Sequence, residues 1–409
     1  MKVLNFGSCN IDYVYSVDHI VVPGETTASY ELELFCGGKG LNQSIAAAKA
    51  GAEVFHAGCI GNDGQILRNT LSENGVDVSN LRTVNVKNGH AIIQVNKNGE
   101  NSILLYSGSN EMITEEYIDE VLEKFSPEDI LLLQNEISNI GYIIKKAYSK
   151  GISVVLNPAP FDEKIKTIDF KMLSFVILNE VEAKGFTGKE QPEEIVRYMR
   201  ENYPELKMVL TLGKKGCIYA DKNQTLYHPA FEVEAIDTTA AGDTFIGYFL
   251  ASISKQKTYY DAIKIASAAS ALAVSKKGAS PSIPFEEEVE KALGFLKPYN
   301  VDRTEYVREQ INCFFDKSIK TARLSDLAKE LNYSENYTGE LIKRITDKTF
   351  SQILQEKRCA LAAKLLRETE LPIEEIISKT GYQNKSFFRQ KFQEMYKQTP
   401  YQYRKTINK

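Results

Sequence analysis

Residues 130–156 read ILLLQNEISNIGYIIKKAYSKGISVVL. Ile130 to Leu133 and Ser153 to Leu156 are short, unbroken apolar runs, and Ile140 to Lys150 between them has a helical pattern. A strand buried on both faces loses the polar/apolar alternation, so such runs separated by helices imply a parallel sheet covered on both sides. The rhythm extends from residue 1 to about 297. Strands are expected at Val3 to Phe6, Val54 to Cys59, Phe175 to Leu178 and Met208 to Thr211, and helices at Asn42 to Ala50 and Pro192 to Asn202. The expected fold class is therefore α/β. Four strand-like segments break the rhythm: Tyr13 to Val17, Tyr30 to Phe35, Ala91 to Val95 and Ile103 to Tyr106. Asn98-Gly99 supplies a hairpin turn between the last two, and the four together suit a small second sheet beside the main body.

The whole chain has 409 residues, enough for two or three domains. Its 43% hydrophobic and 25% charged residues exclude disorder as the main state. The start, MKVLNFGSCNID, meets Asn and Asp before a long apolar run can form, and no later stretch holds about 18 apolar residues in a row, so neither a signal peptide nor a membrane span is expected. Six scattered cysteines without a CxxC pair read as reduced cytosolic thiols. Charge is uneven. Residues 1–300 hold 29 Lys+Arg against 39 Asp+Glu, whereas residues 301–409 hold 21 against 15, so a basic tail follows an acidic body and favours a polyanionic partner for the tail. The pattern changes after Gly294; Pro298-Tyr299-Asn300 reads as a linker, dividing the chain into domains at 1–297 and 303–409.

The strongest chemical signal is Asp237-Thr238-Thr239-Ala240-Ala241-Gly242-Asp243-Thr244-Phe245, which runs into an apolar helix. Small residues allow close backbone approach, and N–H groups at a helix start offer donors to an anion. Asp243 can accept the proton of an attacking hydroxyl while the N–H groups of Ala241, Gly242 and Asp243 stabilise a transferred phosphoryl group. Taken alone, the stretch also reads as a helix start capped by an Asp. Gly37-Gly38-Lys39-Gly40-Leu41-Asn42 precedes another small-residue helix and matches neither a Walker P-loop nor a dinucleotide fingerprint. Asn10 and Asp12 add hydrogen-bonding groups just past the first strand, at the edge where α/β sheets bind ligands.

In this order, with Pro23-Gly24-Glu25-Thr26, Asn179-Glu180-Val181-Glu182, Thr211-Leu212-Gly213-Lys214-Lys215-Gly216 and Lys277-Gly278-Ala279-Ser280-Pro281-Ser282, residues 1–297 resemble the PfkB, or ribokinase-like, sugar kinases. The resemblance implies a Rossmann-like sheet with a β lid that closes over the sugar and often pairs subunits. It also implies that Asn10, Asp12, Gly38, Lys39, Asn42 and Glu136 hold the sugar and that Asp243 is the base. ATP would lie along Asn179, Thr211, Gly213, Gly216, Gly242 and Ser267. Mg2+ would be positioned through water by Asn179 and Glu182, for which a helix cap with a first-turn acid is the plainer reading. K+ would sit at Asp237, Thr239, Ala273, Lys276, Gly278 and Ser282, mostly on carbonyls. His19, His56, His90 and His228 lie outside these motifs and read as isolated surface or packing residues.

The tail is almost wholly helical. Leu324 to Leu331, the turn Asn332-Tyr333-Ser334 and Glu335 to Ile345 form one helix-turn-helix unit, and Ile373 to Lys379, Gly381-Tyr382 and Lys385 to Tyr396 form another, joined by Phe350 to Glu368. Ala328, Ser334, Tyr337, Arg358, Ala362, Gly381-Tyr382, Phe392, Thr399-Pro400 and Tyr403-Arg404 make the tail resemble the DNA-binding domain of AraC-type transcription regulators. Exposed polar positions nominate Asn336, Glu340, Lys343, Asn384, Lys385, Arg389 and Gln390 for bases, and Arg344, Lys391 and Arg404 for phosphates. Thr338 and Gly339 depart from good helix formers. A solvated helical oligomerisation module is the alternative for the tail. The expectation for the chain is a cytosolic, homodimeric sugar kinase, D-ribose O5 leading as acceptor, fused to a module for double-stranded DNA, with sugar or nucleotide occupancy altering operator binding. A sugar sensor without turnover, or a kinase of the same family for another sugar or nucleoside, is the rival.

Overall fold

Among the described residues, 1–299, 304–331, 335–369 and 371–407 of a computed structural model, thirteen strands form two sheets. They are β1 (Val3–Phe6), β2 (Asn10–Ser16), β3 (Glu31–Gly37), β4 (Val54–Ile60), β5 (Asp77–Thr83), β6 (Gly89–Val95), β7 (Asn101–Tyr106), β8 (Ile130–Gln134), β9 (Ser153–Asn157), β10 (Phe175–Asn179), β11 (Lys207–Thr211), β12 (Cys217–Ala220) and β13 (Thr225–His228). The larger sheet has the order β13-β12-β11-β10-β9-β8-β1-β4-β5 and the smaller β3-β2-β6-β7. Chain contacts divide the protein into two units, Met1–Val301 and Asp302–Lys409.

The strand–helix–strand stretch at 130–156 becomes β8 and β9, parallel, with Ile130 opposite Ser153 and Leu133 opposite Leu156. Val3, Ile130, Leu132, Val155, Ile177 and Val209 share one core with the helices Lys39–Lys49, Ala241–Ser254 and Tyr259–Val274. The alternate residues Leu4, Phe6, Leu131, Leu133, Val154 and Val176 are buried too, and strand geometry sends them to the opposite face. Burial on both sides explains the unbroken apolar runs. The sheet is nevertheless mixed, because β12 runs antiparallel to both of its neighbours, β11 and β13. Five residues connect β11 to β12, too few for the crossover of about a dozen that a parallel pair needs. The Leu212 N–H donates to the Gly216 carbonyl at 2.8 Å and closes that turn. The edge strand β5, DVSNLRT, has a polar sequence and escaped the reading for that reason.

The small sheet forms from the four expected segments. β2 pairs antiparallel with β3 and parallel with β6, and β6 and β7 form a hairpin in which the Gly99 N–H donates to the Asn96 carbonyl at 2.9 Å. β7 is exposed along its length. Pro298 and Tyr299, expected as linker, are instead held by the first unit. The Glu232 N–H donates to the Lys297 carbonyl at 2.8 Å, the Tyr299 N–H donates to the Ala230 carbonyl at 2.7 Å, and Pro298 forms a β-bridge with Phe231. Asn300 lies outside the described residues.

The second unit contains the helices Thr304–Ser318, Leu324–Leu331, Glu335–Thr346, Phe350–Glu368, Ile373–Lys379, Lys385–Tyr396 and Pro400–Ile407. The expected turn Asn332-Tyr333-Ser334 lies outside the described residues. One core gathers Ile311, Phe315, Leu327 and Ile342, another Leu366, Ile376, Phe388 and Phe392. The linking helix serves both, placing Ile353 and Leu354 in the first and Cys359, Ala362 and Leu366 in the second. Arg358 donates from Nε to the Ile319 carbonyl at 3.0 Å and from Nη2 to the Lys320 carbonyl at 2.9 Å, which ties the turn after the first helix of the unit to the linking one.

Candidate active site and nucleic-acid interface

The GGKG turn brings three acidic side chains close to a helix start. A Cβ on Gly37 would lie 2.1 Å from Asp12 Oδ2, and one on Gly40 would lie 2.6 Å from the Gly7 Cα, so only glycine lets the carboxylate and β1 approach this backbone. Gly38 caps the helix Lys39–Lys49. The Lys39 N–H donates to Glu136 Oε2 at 3.0 Å, and Ser8 Oγ donates to the same oxygen at 2.5 Å. Asn110 Nδ2 donates to Asn10 Oδ1 at 2.7 Å. Asn10, Asn110 and Glu136 line a cavity of about 530 Å³ beside Leu105 of β7. Burial, reinforced by the Glu136 charge, pushes the Asp12 carboxyl up to about 7. Burial also raises Glu136, whereas the Asp243 charge raises Lys39 and keeps its ammonium protonated.

Asp243 lies in the first turn of the helix Ala241–Ser254, which starts after Ala240 in the left-handed region at φ 60°. Its carboxylate is buried and doubly held. Asn42 Nδ2 donates to Oδ2 at 3.1 Å and Gln43 Nε2 donates to Oδ1 at 2.9 Å. Gln43 is fixed in turn, because Gln134 Nε2 donates to its Oε1 at 2.8 Å and also reaches Asn5 Oδ1 at 3.0 Å. Gln43 and Gln134 were missed by sequence reasoning, and their full burial is apparent only in the fold. A Cβ on Gly242 would meet nothing within 4 Å, so space opens in front of the helix start. The Ala241 N–H is donated to the Thr238 carbonyl at 3.3 Å, which leaves Gly242 and Asp243 as the first-turn donors with no carbonyl in their own helix.

Two cavities meet at this helix start. One of about 240 Å³ is lined by Lys39, Asn179, Glu182, Thr211, Gly242 and Asp243, and one of about 510 Å³ by Thr211, Gly213, Gly216, Gly242, Ser267 and Tyr299. Lys39, Asp243, Asn179, Thr211, Gly213, Gly216, Gly242 and Ser267 thus line two adjoining cavities, whereas Asn10 and Glu136 line the separate one of about 530 Å³ and Asp12, Gly38 and Asn42 line none of the three. Asn179 and Glu182 form a capping box on the helix Glu180–Thr187, with Asn179 Nδ2 donating to Glu182 Oε1 at 2.9 Å and the Glu182 N–H donating to Asn179 Oδ1 at 2.9 Å. The plainer reading of this pair is therefore present in the geometry, on the cavity wall. Among the described residues no three His, Cys, Asp or Glu side chains gather as a metal cage, so these oxygens fit Mg2+ only through retained waters and phosphate oxygens. Asp237 accepts from the Thr239 N–H and the Gly278 N–H, both at 2.9 Å, which knits three of the positions expected for K+. The Lys276 N–H donates to the Ala273 carbonyl at 3.1 Å, Lys276 Nζ turns to Glu288 at 2.9 Å, and Ser282 Oγ donates to the Ala279 carbonyl at 2.8 Å. One carboxylate among carbonyls is a donor set of the kind K+ takes. His56 is not isolated: it is fully buried between Ser44 Oγ at 2.8 Å and Cys9 Sγ at 3.2 Å, and burial pushes its pKa down to about 4.

The sequence pattern of the pfkB family carbohydrate kinases matches residues 1–286. The chain belongs to this family. A helix-turn-helix domain pattern matches residues 327–406, so the kinase is fused to an AraC-type module. Ribokinase of Haemophilus influenzae is 38% identical over 304 residues, which are 71% of this chain and 97% of that protein. The crystal structure of ribokinase from Thermotoga maritima superposes with a TM-score of 0.65 at 34% identity, covering 72% of this chain and 99% of the other. Ribokinase from Cryptococcus neoformans in complex with ADP gives 0.64 at 32% identity, covering 71% and 99%.

In the kinase's appended module, Asn336, Glu340, Lys343 and Arg344 are exposed on the helix Glu335–Thr346, and Lys385, Arg389 and Gln390 on the helix Lys385–Tyr396. Some of these side chains already have partners. Asn384 Oδ1 accepts from the Phe387 N–H at 3.0 Å and caps its helix, Lys385 Nζ pairs with Glu374 at 2.6 Å, and Gln390 and Lys391 both reach Glu394. Arg404 Nη2 donates to the Thr369 carbonyl at 3.4 Å, so this guanidinium, expected on phosphate, lies against its own unit. No helix among the described residues is long and apolar enough to cross a membrane.

Proposed function

We propose that the first unit transfers the γ-phosphoryl group of ATP to a pentose hydroxyl, D-ribose O5 in the first instance, and that the second binds double-stranded DNA as a regulator. The observation that carries the reading is Asp243, held by two amides on a cavity wall shared with Lys39, Thr211 and Gly242. Similarity to proteins named ribokinase supports the choice of sugar. Asn10, Asp12, Gly38, Asn42 and Glu136 bind and orient the sugar, and Asp243 takes the proton from its alcohol. The oxygen's electron pair then forms the bond to the γ-phosphorus as the bond from that phosphorus to the β–γ bridging oxygen breaks, and ADP leaves with that pair. The N–H groups of Gly242 and Asp243 face the charge on the transferring group, and the Lys39 ammonium offsets the carboxylates around it. Asn179 and Glu182 would hold Mg2+ through water, supplying charge neutralisation at the phosphates, and the Asp237–Gly278 segment pair would hold K+ beside the helix start.

The exposed Ile103, Leu104 and Leu105 on the edge strand β7, with Leu32 and Leu34 on β3 and Tyr30 just before it, support a homodimer in which a second copy covers the small sheet. The free thiols of the described cysteines suit the cytosol. A coupled ADP-release assay over D-ribose, 2-deoxy-D-ribose, other pentoses and nucleosides tests the enzyme, with Asp243→Asn as control. The expected result is the highest kcat/KM for D-ribose and a loss of about 10²- to 10⁴-fold in the variant. Binding without turnover for every sugar would replace the kinase with a sugar-sensing regulator.

A further inference from the structure

The chain leaves the first unit along the wall of the larger cavity. Lys297, Pro298 and Tyr299 run beside Ala230, Phe231 and Glu232 through two backbone hydrogen bonds and a bridge, and Tyr299, Ala230 and Phe231 all line the cavity of about 510 Å³ that also holds Thr211, Gly213 and Ser267. The aromatic side chains of that wall differ in availability. Phe231 and Phe245 are 6% and 4% exposed, committed to the core, whereas Tyr299 is 46% exposed and its ring is free for a ligand. Val233, Ala235, Ala271 and Val274 add small and aliphatic surface to the lining, and Lys214, Thr238 and Ser270 add polar groups. A planar heterocycle in such a space finds its favourable ring contact on Tyr299. Asp302, where the second unit begins, is three residues further along the chain.

We propose that Tyr299 stacks on the base of the bound nucleotide, and that nucleotide occupancy is thereby read by the segment that continues into the helix-turn-helix unit. The inference rests on the reading of this cavity as the nucleotide site and adds a contact and a consequence to it. Tyr299 is tied by its backbone to the strand segment at Ala230, so a base stacked on the ring reinforces that hold on the chain three residues before the second unit. If that reinforcement alters DNA binding, DNA must alter nucleotide affinity by the same factor.

The test uses the full chain with ADP as probe. Calorimetric titration compares the natural protein with Tyr299→Ala, Tyr299→Leu and Tyr299→Phe. The Phe variant is expected to bind as the natural protein does, and the Ala and Leu variants about tenfold more weakly, within the range found for removal of a base-stacking ring. Leu keeps apolar volume without a ring, so the comparison of Leu with Phe survives if Ala fails to fold. Amide-exchange mass spectrometry on peptides covering residues 297–318 is expected to show ADP-induced protection in the natural and Phe proteins and none in Leu. Equal ADP affinity in all four proteins overturns the stacking. ADP binding that leaves exchange in 304–318 unchanged in the natural protein overturns the transmission. A natural protein that binds no ADP overturns the nucleotide reading of the cavity itself, and the inference with it.

Discussion

Asp243 can act as a base only while its carboxylate keeps one orientation, and Gln43 is the side chain that holds Oδ1 without lying on any of the three cavities. Gln43→Leu is expected to lower kcat by about 10- to 100-fold, as a small misplacement of a reacting group does, with the sugar KM nearly unchanged. Steady-state kinetics on the sugar check this, and a rise in KM alone would count against a positioning role. Asp12 adds a pH signature. Its carboxyl, raised to about 7 by burial and by Glu136, is protonated below that pH, and the proposed sugar site then loses a charged acceptor. The kcat/KM for sugar should therefore rise with pH up to about 7 and level off above it, since this ratio reports the free enzyme. In Asp12→Asn the rise should vanish together with most of the affinity. Asn42 and Asp243 were legible as members of separate motifs, but Gln43 and Gln134 were not, because nothing local marks an amide that will be buried against a carboxylate 200 residues away.

At the scale of elements, the second unit shows which departures from helix propensity are costs and which have a use. Gly339 is not at positive φ, and a Cβ there would meet Leu324 at 3.7 Å, an ordinary contact. Gly339→Ala is expected to stabilise the helix Glu335–Thr346 by about 1 kcal/mol, visible as slower amide exchange in that helix of the full chain. Asn384 behaves oppositely. As the cap of Lys385–Tyr396 it contributes stability whether or not it meets a base, so Asn384→Ala should cost about 1 kcal/mol and Asn384→Asp little, read by the same exchange measurement. The buried strands and the helices Lys39–Lys49, Pro192–Asn202 and Phe350–Glu368 were legible from their patterns, whereas Tyr259–Val274 was not named. The edge strands β5 and β13, and β12 next to one edge, were not, because they are short or polar and their place depends on neighbours that complete the ladder.

For the whole molecule, the basic second unit gives DNA binding that should weaken linearly in log K against log salt. Arg344→Ala should reduce the slope by about 1 while sugar phosphorylation is unaffected, as anisotropy titrations of a labelled duplex and the ADP-release assay would record. Binding that ignores salt would remove the DNA reading of the tail. The sequence by itself determined the α/β class, the order of the kinase motifs and the helical tail, because hydrophobic period, turn residues and capping are local properties of the chain. Only the tertiary structure decided that Asn42 meets Asp243 across 201 residues, that the sheet ends in two antiparallel strands, and that Pro298 and Tyr299 belong to the first unit and line its cavity. Those outcomes depend on which distant partner satisfies each buried donor, acceptor and sheet edge, and no local pattern encodes that choice.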